Sequence, residues 1–355
     1  MGGAMGGAMN APMAARWGVP PAGQPGLPGV PDGVVDQGAP RYGRYAGRLD
    51  RIDWSALQGV HRRSRWWRRL HHKRWQYVGI GCREVFVGVA IVDLGWSMTA
   101  FAYVFDRIRQ RVIADWAQDG LPGLSGFVSE QPVQGAEARF RGLGASLTLV
   151  HEPGDILALR VKTPAMRAQI ELALGRCAPF LLAVGPIQGG VAHATQKSPA
   201  LPVQGWVEAD AQHWDLGQAV GCLDSSSGLL AHDTSWRWAC AHRHDVGFNL
   251  QQGYFGGQEN ALWLDGELIP LGAAHFEFDP ERPLAPWHVG TDDGLLDLHF
   301  QPEGARSSQR DLLVAASHYV QPVGTFYGQV RRSAGSAPTL IEGLLGVTED
   351  HRSRW

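Results

Sequence analysis

The chain reads as a mainly β protein: two antiparallel β-barrel or sandwich domains, few short helices and a disordered N-terminal tail. Three observations predict this. A length of 355 residues exceeds one ordinary core and suits two domains of roughly 100–200 residues each. Turn signals at Pro153-Gly154-Asp155, Asp265-Gly266 and Asp293-Gly294 each stand between runs of apolar and polar alternation. Asp-Gly in that setting favours a hairpin, because both turn positions want φ > 0. Finally, "AHFEFDP" and "DLHF" alternate with the period of two that half-buried strands require.

Taken in chain order, the first segment is the tail, residues 1–45. Its first forty residues hold ten Gly, seven Ala and seven Pro. Met1, Met5, Met9 and Met13 repeat every four residues, but the Gly-Gly pairs between them oppose a helix, so disorder is expected. No basic start precedes an apolar run, so no secretory signal is read and a cytoplasmic protein is expected. Residues 46–75 form a basic, Trp-rich segment expected to be helical. Within it "HRRSRWWRRLHHKRW" (His61–Trp75) carries seven Lys/Arg, three Trp and no acid. One reading is a solvated helix whose tryptophans pack on the barrel while arginine stems snorkel. The other is peripheral contact with a membrane surface through Arg62, Arg63, Trp66, Trp67, Arg68 and Arg69.

Residues 76–190 are the first expected β domain. Its apolar run Val85–Phe105 is long enough to span a bilayer. Asp93-Leu94-Gly95 interrupts it as a turn, and a mid-span Asp is costly in hydrocarbon, so two paired strands are expected. "TPAMRAQIELALGR" (Thr163–Arg176) is the one stretch in this domain that suits a helix. A break is expected in the Gly- and Pro-rich Gly189–Gly205, and residues 200–355 are the second β domain.

Composition narrows the function classes. With 44% hydrophobic and 19% charged residues the chain has a soluble globular balance, and its net charge of −2 offers no general attraction to nucleic acid. Fourteen tryptophans suit wide cores or ligand-lined cavities. Cys82, Cys177, Cys222 and Cys240 include no C-x-x-C pair, so reduced and mostly buried thiols are expected. "GIGCRE" lacks the third glycine of a dinucleotide loop, no phosphate-binding loop occurs, and "GLSGF" misses the hydrolase elbow by one residue. No cofactor is expected.

From about His71 to Trp355 the chain resembles a large, mostly bacterial family, domain of unknown function 2804. The residues that carry the resemblance begin with "KRWQYVGI" (Lys73–Ile80), "LPVQGWV" (Leu201–Val207) and "CLDSSSGLLAHDTSWRWACA" (Cys222–Ala241). They continue through "GFNLQQGYFGGQENALWLDGEL" (Gly247–Leu268), "PWHVGTDDGLLDLHFQP" (Pro286–Pro302) and "IEGLLGVTEDHRSRW" (Ile341–Trp355). "GLLAHD" before Thr234 departs from the family's more aromatic pattern. By architecture that family is similar to tandem lipocalin-like proteins, among them carotenoid hydratases and certain cyclases. The resemblance implies two lipocalin-like barrels with an apolar cavity or a groove between them.

The candidate site residues lie in the second half. If Asp233–Ala241 is a strand, Trp236 and Trp238 share one face and Asp233 and Arg237 the other. The tryptophans then either pack between sheets or wall a pocket with polar residues at its rim. Asn249, Glu259 and Asn260 either fix a loop through side-chain to backbone hydrogen bonds or place Glu259 as an acid held protonated in a dry cavity. His351, within "TEDHRSRW", either joins a network pinning the last strand or pairs with a carboxylate as a proton relay. His242 and His244 form an H-x-H pair without the further ligands that cupin-type spacing needs, so no metal is expected.

The expected function is binding of an apolar small molecule, lipid or isoprenoid-like, in a Trp-lined barrel cavity by Trp236, Trp238, Arg237, Asn249 and Asn260. The alternative is a cofactor-free hydratase, isomerase or cyclase using Asp233, Glu259 or His351 as acid or base.

Overall fold

The computed structural model describes residues 26–175, 177–311 and 316–354. It is built almost wholly of antiparallel strands in two large sheets. The first contains fifteen strands. Its main path begins with Arg111–Gly120, Met98–Asp106, Val85–Asp93, His72–Gly81 and Val220–Leu229. It continues through Leu201–Ala209, Met166–Ala173, Ile156–Lys162, Ala145–Glu152 and Glu137–Gly142 to Gly126–Val128. The last strands fold back across Val85–Asp93, so the sheet curls into a nearly closed barrel. Val78, Ile80, Val87, Val89, Leu147 and Leu159 fill it.

The second sheet has nine strands and forms a half-barrel. Asp233–His242 lies near its middle, between Val246–Gly253 and Thr339–Arg354. The long strands Leu296–Asp311 and Ala316–Val330 continue it. Its concave face is packed by Phe248, Leu250, Trp287, Phe300, Phe326 and Leu344.

The local signals explain these elements. Asp265 and Gly266 both have positive φ, 49° and 85°, as a two-residue hairpin turn demands. At Asp293-Gly294 only the glycine does, with φ 68°. The apolar run becomes the paired strands Val85–Asp93 and Met98–Asp106, and Asp93 Oδ1 accepts the Gly95 N–H at 2.8 Å to close the turn. No helix among the described residues is long and apolar enough to cross a membrane.

Four expectations are corrected. Thr163–Arg176 contains a strand, Met166–Ala173, not a helix. Met166, Ala168, Ile170 and Leu172 point into the barrel while Arg167, Gln169 and Glu171 point away, so period-two burial overrides helix propensity. The expected break at Gly189–Gly205 lies within the first sheet, because Leu201–Ala209 and Val220–Leu229 are strands of it. The chain changes sheets at Leu230–His232.

The tail is ordered earlier than expected: Gly43–Ala46 pairs with Leu181–Val184. Residues 1–25 lie outside the described residues. Residues 46–75 are mostly irregular rather than helical, with Leu49, Ile52, Trp54 and Leu57 buried against Leu182 and Val184. Only Arg65–His71 forms an α-helix, and the Ser64 hydroxyl caps it by accepting the Trp67 N–H at 3.2 Å.

Candidate functional site

Strand alternation gives each sheet a second face, and those faces meet. Along His72–Gly81, Val78 and Ile80 enter the first core, while Trp75 and Tyr77 join a separate cluster with Phe86, Tyr103, Trp236 and Trp238. A cavity of about 370 Å³ lies in this seam. The first sheet lines it with Trp75, Tyr77, Ala90, Val92 and Phe101, and the second with Trp236, Trp238, Gln251, Arg306 and Tyr319. The expected barrel cavity is therefore corrected. Both barrel interiors are packed with apolar side chains, and the tryptophans wall the space between the sheets.

Two titratable groups of residues line this cavity. In the first, Lys197 on Ala192–Lys197 stands directly opposite Asp224 on Val220–Leu229. Lys197 Nζ lies 2.7 Å from Asp224 Oδ2 and 3.3 Å from Glu259 Oε2. Burial works against the Lys197 ammonium, but Asp224 and Glu259 together lift its pKa above the ordinary lysine value. Burial also raises the Glu259 pKa, and Lys197 only partly offsets this. One buried cation thus faces two buried carboxyl groups, and burial with the nearby Asp224 holds the Glu259 carboxyl above the usual carboxylate range.

In the second group, Glu349 accepts from Trp236 Nε1 and from Gln321 Nε2, both at 2.8 Å. His351 Nδ1 stands 3.3 Å from Glu349 Oε1, and its Nε2 lies 2.8 Å from the Ser353 hydroxyl and 3.0 Å from that of Ser317. Arg306, almost fully buried, lays its guanidinium 4.3 Å from the Phe101 ring centre while its Nε reaches Asp115 Oδ1 at 2.9 Å. The side chain of Gln251 lines the same cavity and is 2% exposed. Neither its amide nitrogen nor its oxygen has a hydrogen-bond partner among the described residues. Leaving such a buried amide unpaired costs about 1–3 kcal/mol, which a polar ligand group in the cavity would relieve.

Of the residues singled out in the sequence, Glu259, His351, Trp236 and Trp238 come together here. Asp233 does not: its carboxylate is 79% exposed and lies beside His232. Arg237 also faces away, 3.6 Å from Asp350 and over the Phe278 ring. Asn249 and Asn260 build the wall rather than line it. Asn249 accepts from Trp238 Nε1 at 2.8 Å and donates to the Glu259 carbonyl at 2.9 Å. Asn260 accepts the Gln251 N–H and donates to the Gly272 carbonyl. Lys197, Asp224, Gln251 and Arg306 were not singled out. The signal for Lys197 was present in "AHATQK", whose alternation carries His193, Thr195 and Lys197 on one face.

No curated protein matches the chain. Among solved structures, a candidate AttH protein from Nitrosomonas europaea aligns with a TM-score of 0.54 at 11% identity, covering 79% of this chain and 92% of that one. CghA in complex with Sch210972 aligns with a TM-score of 0.51 at 11% identity, covering 90% and 97%. Kievitone hydratase from Nectria haematococca gives 0.48 at 10% identity, covering 84% and 93%. At these identities the likeness is one of fold alone. Residues 31–355 match the family described as domain of unknown function DUF2804, and the chain belongs to it.

Proposed function

We propose that the seam cavity binds an apolar, unsaturated small molecule and moves a proton on it, in the manner of a cofactor-free hydratase, isomerase or cyclase. One observation carries this reading: an aromatic cavity is lined by two separate proton-holding groups, Lys197–Asp224–Glu259 and Glu349–His351. A pocket that only held a greasy molecule would gain nothing from these buried charges, whose desolvation costs several kcal/mol per ion. Glu259 is the acid, poised by burial to give up a proton to an alkene or enol carbon. His351 is the base on the second sheet, and the Gln251 amide orients a polar group of the ligand. The tryptophans exclude water from any cationic intermediate and stabilise it by their π faces.

The test is mass spectrometry of organic extracts from wild type and Glu259→Gln, both shown to be folded. The variant is expected to retain a compound that added wild-type protein converts to an isomer, a hydrate or a dehydrated product. Turnover in the variant should fall by about 10²–10⁴-fold. A wild type that holds the same compound unchanged identifies a binding protein instead.

A specific observation favours a second property, attachment to an anionic lipid surface. An open groove of about 1090 Å³ is lined by Arg62, Arg63, Arg65, Arg68, Arg69 and Arg74. Only Arg74 of these has an ion-pair partner among the described residues, Asp93. Trp66, 75% exposed, and Leu70 stand beside it. This helix abuts the turn at the cavity rim, since Lys73 Nζ donates to both the Leu70 and Leu94 carbonyls. Each arginine near an anionic surface contributes about 1 kcal/mol. Wild-type protein is therefore expected to sediment with vesicles containing phosphatidylglycerol but not with pure phosphatidylcholine. The triple change Arg62→Glu, Arg68→Glu, Arg69→Glu should abolish this. Equal sedimentation of that variant would contradict the reading.

A further inference from the structure

The seam holds a third group of residues, behind the cavity wall and outside the proposed chemistry. Cys222 lies on Val220–Leu229 of the first sheet, and Cys240 and His242 lie on Asp233–His242 of the second. The two sulfurs are 3.9 Å apart, and all three ligand atoms fall within 4.8 Å of one another. Both thiols are buried, and the buried His242 Nδ1 has no hydrogen-bond partner among the described residues. Two glycines keep the space around the ligands open. A Cβ at Gly79 would come within 3.2 Å of Cys222 Sγ, and one at Gly247 within 2.3 Å of His242 Nδ1.

We propose that Cys222, Cys240 and His242 bind one Zn²⁺ ion that staples the two sheets together. The sulfur spacing suits it: Zn–S bonds of about 2.3 Å at a tetrahedral angle place two sulfurs about 3.8 Å apart, against about 2.05 Å in a disulfide. The ligand types also suit it, since thiolate and imidazole select soft or borderline cations over Mg²⁺ or Ca²⁺. Charge balances as well. Two thiols lose their protons to solvent on binding, and two thiolates with a neutral imidazole leave the buried site with no net charge.

None of its three ligands lines the cavity, so the ion would act on the packing of the sheets, with water taking the position that three protein ligands leave open in a tetrahedral site. Cys240 follows Trp238 by two residues on the same strand face, and the Tyr77 ring meets Trp238 edge-on at 5.6 Å. The metal therefore fixes the strand pair that carries the aromatic wall. The expectation of no metal rested on spacing along one segment, and these ligands come from both sheets.

The test uses the full chain, purified under reductant, stripped with a chelator and titrated with Co²⁺ alone. Thiolate-to-cobalt charge-transfer absorption should saturate at one equivalent and be displaced by Zn²⁺. It should vanish in Cys222→Ser and weaken in His242→Gln, which keeps both thiols if the serine variant fails to fold. Cys82→Ser and Cys177→Ser should retain it. The proposal is overturned if wild-type protein gives no such band, if Cys82 or Cys177 carries it, or if Cys222 and Cys240 are joined as a disulfide under reductant. No outcome depends on turnover, so the result is separable from the fate of the catalytic reading.

Discussion

The concave faces of the two sheets and the faces they turn toward each other are built from the same strands by opposite rules. Inside, Val87, Leu147, Phe300 and Phe326 are wholly buried and apolar. In the seam, positions that are also buried carry Lys197, Glu259, Gln251, Arg306 and Glu349 beside tryptophan and tyrosine. Residues of adjacent number in one strand belong to different worlds: Val78 is core and Tyr77 is seam. The difference teaches that stability is concentrated in the barrels, while polar groups costly to bury are gathered where a ligand can meet them. Most of the seam's lining comes from strands that also carry a core face, with the turns at Leu94–Ser97 and Tyr254–Glu259 completing it.

The sharpest way to break this comparison is to injure each face in turn. Phe300→Ala, inside the second barrel, should cost about 3–5 kcal/mol, measured as a shift in the urea midpoint. Lys197→Met should cost about 3 kcal/mol, because Asp224 is left buried without its cation. A second change, Asp224→Asn, should return much of that loss, a recovery that no apolar core pair would show. If Lys197→Met proves neutral, the seam is wetter than its burial indicates and the contrast fails.

The smallest effect belongs to neither face. Arg48 holds the Asp155 carboxylate below its ordinary pKa through a paired hydrogen bond at 2.7 and 3.0 Å, against the opposing effect of burial. The folded pKa lies below the unfolded one. The stabilisation is therefore present above about pH 4 and is lost as pH falls through the folded value. The pair is partly exposed, so screening keeps the effect small. Urea midpoints between about pH 5 and pH 2 should fall slightly less steeply in Arg48→Ala than in wild type. An equal slope in both would show that this ion pair contributes nothing.

Much of the fold was legible because its signals are local. Asp265-Gly266 and Asp93-Leu94-Gly95 mark hairpins through backbone conformations that few residues adopt. Where two local signals conflict, as in Met166–Ala173, propensity misleads and the period of burial decides. The site was half legible. Alternation in "TSWRWAC" placed Trp236 and Trp238 on one face and excluded Asp233 from it, although only the structure shows which face meets the cavity. Glu259 and His351 were legible as titratable residues within the polar runs "GGQEN" and "TEDHRSRW". Lys197 and Asp224 were not singled out: alternation in "AHATQK" puts Lys197 on a polar face, but its link to Asp224 arises only when Ala192–Lys197 pairs with Val220–Leu229. Cys222, Cys240 and His242 were hidden for the same reason: sheet packing joins them.

The central claim is that the seam, and not either barrel interior, is the binding site. It is tested most directly by titrating 1-anilinonaphthalene-8-sulfonate into folded wild type and folded Ala90→Phe. Ala90 lines the cavity from the first sheet and is 3% exposed, so a phenyl ring there fills the space while leaving both cores untouched. The account predicts saturable one-to-one fluorescence enhancement in wild type and its loss in Ala90→Phe at unchanged urea midpoint. Equal enhancement in the two proteins, or none in wild type, would contradict it.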